Sequence, residues 1–141
     1  MEKLLDSLIE NNKAYTKNGK VASYIPELAK AKSEALGICI TTLDGEEYCS
    51  GECDEKFTIQ SISKVITLML AILDNGKENV FKKVGMEPTA DAFNSIINLE
   101  TKSPQRPLNP MINSGAIATV SLISGGDGDK IFERILKFTR K

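Results

Sequence analysis

Residues 57–74, reading FTIQSISKVITLMLAILD, constrain what this chain can fold into more than any other stretch. Over 62–73 almost every residue is apolar, which is too continuous for a helix with a solvated face and too long for an ordinary strand. A helix buried on most of its faces follows, closing at Asp74-Asn75-Gly76 with Gly76 as the C-cap. At its start Ser61 and Lys64 stand three apart, so their side chains emerge on one face as neighbours. A serine hydroxyl attacks a carbonyl only when a base takes its proton, and a lysine amine is such a base where its neutral form is accessible. Backbone N–H groups at a helix N-terminus also favour negative charge developing beside them. The spacing alone says little: with 11 serines and 15 lysines in the chain, about one Ser-x-x-Lys arises by chance. A helix-start serine next to a lysine snorkelling to solvent fits the same letters.

An apolar helix of this kind needs covering elements, and the flanking sequence predicts several. Leu4, Leu5, Leu8, Ile9 and Tyr15 form a helical stripe over 2–18 that Gly19 can terminate. Pro26 pushes Ile25 toward extended backbone ahead of a short helical piece from Glu27, with Tyr24 an amphipathic side chain suited to a packed edge. The β-branched run 36–43, the turn signal Asp44-Gly45 and residues 46–50 read as a β-hairpin. Residues 57–59 lead extended into the central helix. Val80, Phe81 and Val84 mark a further short helix closed by Gly85. Residues 86–110 carry Pro88, Pro104, Pro107 and Pro110 and read as irregular apart from a turn of helix near 93–99. Small residues Ser114, Gly115, Ala116 and Ala118 then open an apolar segment over 111–123 able to approach another element closely. Asn113 at its start offers both an acceptor and a donor, or else a helix cap. After the turn SGGDGD, an amphipathic helix from Asp129 buries Ile131, Phe132, Ile135, Leu136 and Phe138, with Lys130, Arg134, Lys137, Arg140 and Lys141 as a solvated face.

Composition decides among broad classes. At 41% hydrophobic and 26% charged over 141 residues, the chain has the balance of one soluble globular domain. A net charge of −1 offers no basic footprint for nucleic acid, and no apolar run reaches the length of a membrane span. Neither a signal peptide nor a tag is read at its start. Cys39, Cys49 and Cys53, with no histidine and no Cys-x-x-Cys pair, argue against zinc and predict reduced thiols in a cytoplasmic protein.

Taken together, VASYIPELA, FTIQSISKV, FNSI and NPMINSGAI, in that order along the chain, resemble the serine-dependent, β-lactamase-like glutaminases. The resemblance implies an α/β (α+β) fold of the β-lactamase and DD-peptidase kind, present here as a partial domain: a β-hairpin, a buried central helix and surrounding helices, with residues 1–141 the N-terminal portion of one glutaminase domain. It implies hydrolysis of the side-chain amide of L-glutamine to L-glutamate and ammonia through a serine acyl-enzyme, without metal or organic cofactor, in a cytoplasmic homo-oligomer. Carried over by position, Ser61 becomes the nucleophile, Lys64 its activating base, and Tyr24 and Asn113, with Ser61, contacts to the substrate. Family members are longer, and the resemblance places the remaining pocket groups, including the second oxyanion donor, in a C-terminal part beyond this chain. A penicillin-recognising acyl-transfer enzyme would also want Ser-Asp-Asn and Lys-Thr-Gly elements, and neither occurs. A non-catalytic fragment of the glutaminase family is the other alternative. The apolar face of the last helix, needing cover from further chain or a second copy, predicts that the 141 residues alone turn over little glutamine and are unstable or associated.

Overall fold

A computed structural model describes residues 1–95, 103 and 105–140. They form two compact units, Met1–Thr58 and Ile59–Lys141.

In the first unit, helix α1 (Glu2–Lys13) runs on into a 3-10 turn, Ala14–Asn18, and the chain leaves it through an extended Gly19. A second 3-10 turn, Leu28–Lys30, follows Pro26 as the sequence predicts. Strands β1 (Gly37–Thr41) and β2 (Glu47–Gly51) pair antiparallel in the register Gly37 to Gly51 through Thr41 to Glu47. Asp44-Gly45 makes the connection as read: the Gly45 N–H donates to Thr42 O at 3.1 Å, the Thr42 N–H donates to Glu46 O at 2.9 Å, and Gly45 sits at φ +82°. This is the three-residue loop whose last position suits glycine. Helix α1 lies on the hairpin with Leu5 buried beneath it and the Ser50 hydroxyl donating to Asp6 Oδ1 at 2.6 Å.

The thiols depart from expectation. Cys39 and Cys49 are directly opposed across the strands, Cα to Cα 4.2 Å, and joined as a disulfide, leaving Cys53 as the free thiol. The ladder bonds at Thr42–Glu46 and Leu36–Glu52 make every second pair a close, non-hydrogen-bonded one, and this pair is among them. Only the strand register reveals that neighbourhood. Among the described residues, no cluster of three metal-ligating side chains occurs, and no helix is long and apolar enough to cross a membrane.

The second unit is built on helix α2 (Ile62–Asn75), the predicted apolar helix, which ends at Gly76 (φ +75°) with the Gly76 N–H on Ile72 O. Helix α3 (Lys77–Lys83) turns back from it, and helices α4 (Asn113–Val120) and α5 (Gly128–Thr139) pack on α2. Leu70, Ala71, Val80 and Ile123 form the core. The predicted turn near 93–99 falls largely outside the described residues.

Burial of α2 is more one-sided than its composition predicts. Thr67, Leu70 and Ala71 are buried, but Ile62, Val65, Met69 and Leu73 form an exposed stripe, Leu73 at 69%. These positions recur at helical spacing, so among the described residues one face of the most apolar helix stands uncovered. The last helix differs in the opposite sense. Ile131, Ile135 and Phe138 already pack against the core of their own unit, while Phe132 is exposed. Its cap is Asp127, whose carboxylate accepts the Lys130 N–H at 2.9 Å.

Arg134 is not part of a solvated face. Its guanidinium makes a two-pronged ion pair with Asp74 at the end of α2 and donates to Ser124 O at 2.8 Å. The Asp74 side chain is only 8% exposed, and its carboxyl is held below its ordinary value chiefly by Arg134, against the opposing effect of burial and with help from the Ser124 N–H. A depressed folded value contributes stability in full above about pH 4 and loses it as pH falls through that lower value. Replacing Arg134 by alanine is therefore expected to lower stability at pH 7, with the penalty shrinking toward acid. Urea unfolding of both proteins at pH 7 and pH 3 checks it; a penalty independent of pH would contradict the role of the pair.

Candidate active site

The turn into α2 sets the geometry around Ser61. The Ile62 N–H donates to Ile59 O at 3.1 Å, so Gln60 and Ser61 form the corner. Gln60 sits at φ +41°, and among the described residues it is the one non-glycine with positive φ. Such backbone costs about 1–3 kcal/mol and collects at functional sites. The Gln60 carbonyl accepts from the Ser63 N–H at 3.2 Å and the Ser63 hydroxyl at 2.6 Å. Because the peptide is planar and trans, the Ser61 N–H must point the opposite way, off the end of the helix. Among the described residues nothing accepts it.

These contacts separate the two serines. The Ser63 hydroxyl is committed to Gln60 O. Ser61 occupies the cap position yet makes no side-chain cap bond, and it is exposed. The helix-cap interpretation of Ser61 therefore fails on geometry, which leaves a hydroxyl and an N–H side by side at the positive end of α2.

Lys64 is half-buried one turn on, and its amine donates to Met111 O at 2.8 Å and to Asn113 Oδ1 at 2.8 Å. Asn113 is likewise not a cap: Ile112 holds that position, and Asn113 is the first residue of α4 with its side-chain oxygen on Lys64. With Cε and two acceptors occupying three tetrahedral directions of Nζ, a single direction remains for a lone pair or a third proton. The acceptors thus dictate where Lys64 takes up or gives away a proton.

Local sequence explains how α4 reaches Lys64. A Cβ on Gly115 would lie 1.8 Å from Asn109 O, so only glycine lets the first turn of α4 seat on the Asn109-Pro110 backbone. Asn109 Oδ1 accepts the N–H groups of Met111 at 3.0 Å and Ile112 at 3.2 Å, while its Nδ2 donates to Glu87 O at 2.9 Å. Sequence reasoning passed over Asn109; the Asn-Pro pair, a turn initiator, was the available signal. Nothing in the letters announced the backbone of Gln60. Tyr24 belongs to the first unit, at a bend before Pro26, and is 73% exposed. Of the four residues named from sequence, the structure joins Lys64 to Asn113 directly and sets Ser61 in the same first turn as Lys64.

Residues 19–141 match the Glutaminase family. "Glutaminase 2" of Clostridium perfringens (strain 13 / Type A) is 66% identical over all 141 residues, which correspond to 46% of that protein. Among solved structures, a probable glutaminase, YbaS, superposes with a TM-score of 0.85 at 39% identity over 99% of this chain and 46% of its own. Mglu in its glutamate form gives 0.86 at 37% identity over 98% of this chain and 32% of its own. The chain spans about half the length of the curated relatives it matches. The match over residues 19–141, the identity to these relatives and the shared fold all point the same way, and the chain belongs to the glutaminase family.

Proposed function

We propose that these residues are the N-terminal portion of a single glutaminase domain and carry the nucleophile and base of amide hydrolysis. The observation that carries this is the Lys64 amine, fixed between Met111 O and Asn113 Oδ1 one helical turn from an uncommitted Ser61 hydroxyl. In the forward step Ser61 Oγ attacks the side-chain carbonyl of L-glutamine as Lys64 takes its proton, and the carbonyl oxygen gathers charge against the Ser61 N–H. Collapse breaks the carbon–nitrogen bond, Lys64 returns the proton to the departing nitrogen, and ammonia leaves a glutamyl ester on Ser61. Water then releases L-glutamate by the same groups in reverse. Asn113 and Tyr24 are assigned to substrate contact. The relative Mglu, solved in its glutamate form, is consistent with a product-binding pocket of this kind.

The exposed stripe Ile62, Val65, Met69 and Leu73 supports the partial-domain part of the proposal, since side chains left half or more in water forgo a large part of the about 1.5–3 kcal/mol that full burial of each would contribute. The remaining domain covers them in the longer protein, and a second copy covers them when the chain is alone. A cytoplasmic homo-oligomer, implied by the family resemblance and not by the cysteines, completes the proposal.

The test joins residues 1–141 to the C-terminal part of the Clostridium perfringens relative and measures ammonia release from glutamine. The chimera is expected to turn over, and the 141-residue chain alone to show little activity and to sediment as more than a monomer. A folded but inert chimera would overturn the activity; a monomeric 141-residue chain with normal rates would overturn the partial domain.

A further inference from the structure

We propose that Asn109 is a positioning residue for Lys64, fixing the direction from which the base exchanges its proton; this rests on the glutaminase reading above. The two acceptors of the Lys64 amine come from one short segment, the Met111 carbonyl and the Asn113 side chain. That segment has no regular structure before Asn113 and no side-chain cap at Ile112, and although the Ile112 carbonyl takes the first helical bond from the Ala116 N–H at 2.9 Å, the direction of the Met111 carbonyl is not set by a helix ladder. Asn109 sets them. Its Oδ1 gathers the Met111 and Ile112 N–H groups into one turn, which orients the Ile112 and Met111 peptides and with them the Met111 carbonyl.

The anchor itself is held from the other side. Asn109 Nδ2 donates to Glu87 O at 2.9 Å, the Glu87 N–H donates to Leu108 O at 2.8 Å, and the Gly85 N–H donates to Pro107 O at 2.8 Å. Arg106 adds bonds to Phe81 O and to the Glu87 carboxylate, both 2.9 Å. Residues 106–109 are therefore stitched to 85–87, and the contact beneath Gly115 leaves α4 no room to slide. A chain of bonds runs from the end of α3 through Asn109 to the amine of Lys64. Asn109 needs no contact with substrate to matter: a rotated Met111 carbonyl turns the free direction of Nζ away from Ser61, and misplacement by about 1 Å costs on the order of 100-fold in rate.

The experiment places Asn109→Ala and Asn109→Ser in the chimera described above, each with Lys64 intact and with Lys64→Ala. Turnover is read at high enzyme concentration and folding by thermal melting. Serine keeps a neutral acceptor for the two N–H groups and loses only the bond to Glu87. With Lys64 intact, Asn109→Ala should lower kcat by about 10–100-fold and Asn109→Ser by about fivefold or less, both with KM nearly unchanged. In the Lys64→Ala background both losses should shrink to less than about twofold, because no amine is left to orient. Equal losses in the two backgrounds, or an alanine variant with normal kcat, would overturn the proposal. If the alanine variant does not fold, the serine variant in the two backgrounds decides by the same comparison. Failure of the parent chimera to hydrolyse glutamine would instead count against the function on which the proposal stands.

Discussion

Ser61→Ala in the active chimera is expected to abolish ammonia release, with kcat falling by about 10⁴-fold or more while the melting temperature stays within a few degrees. The size follows from what is removed. Alanine deletes the only atom able to form the ester, whereas the Ser61 N–H, the turn Ile59 to Ile62 and the bonds of Lys64 all survive. Ser61 is exposed and makes no cap bond, so little packing or capping energy leaves with its hydroxyl. Ser63→Ala serves as the comparison. It breaks a 2.6 Å bond to Gln60 O and should affect stability more than chemistry. Ammonia release retained by Ser61→Ala and lost by Ser63→Ala would reverse the assignment.

Lys64→Arg is expected to lower kcat by about 10²–10³-fold, nearly as much as Lys64→Ala. Arginine keeps the positive charge and its hydrogen-bond donors but does not deprotonate in a protein, so it can replace Lys64 as a tether and not as a base. Its planar fork also mismatches the site. Lysine meets Met111 O and Asn113 Oδ1 with two bonds of 2.8 Å from one tetrahedral nitrogen, whereas a guanidinium must spread those bonds over separate nitrogens. A Lys64→Arg protein of normal rate would leave this lysine as a structural charge and return Ser61 to a search for another base.

How much of this was legible beforehand depended on the range of the interaction. Elements set by neighbours in sequence were readable: the Asp44-Gly45 hairpin, the apolar helix closing at Gly76, the short helix after it and the piece following Pro26. Each rests on a backbone preference of one or two residues or on periodicity within a helix. Interactions set by strand register or by residues far apart in sequence were not. Cys39 meets Cys49 only once the register exists, and Asp74 meets Arg134 across sixty positions, so a thiol count and a helix-face pattern both pointed elsewhere. The burial of α2 was overestimated for a related reason: apolar composition records the need for a partner, and the described residues cover one face alone.

At the site, the residue types were legible and their arrangement was not. Ser61, Lys64 and Asn113 stand in motifs that resemble the family, but the sequence left the cap interpretation open for both Ser61 and Asn113. Only the hydrogen bonds remove it, by giving Asn113 Oδ1 to Lys64 and leaving the Ser61 hydroxyl uncommitted. The strain at Gln60 has no counterpart in the letters, since glutamine carries no preference for φ of +41°.

The most direct test of the Ser61–Lys64 pair as an acyl-transfer centre is to mix the active chimera with glutamine, quench in acid during turnover, and map the esterified peptide by mass spectrometry. A glutamyl ester on Ser61, absent from the Ser61→Ala protein, is the predicted result. Ammonia released at full rate with the ester on Ser63, or on no serine of this chain, would contradict it.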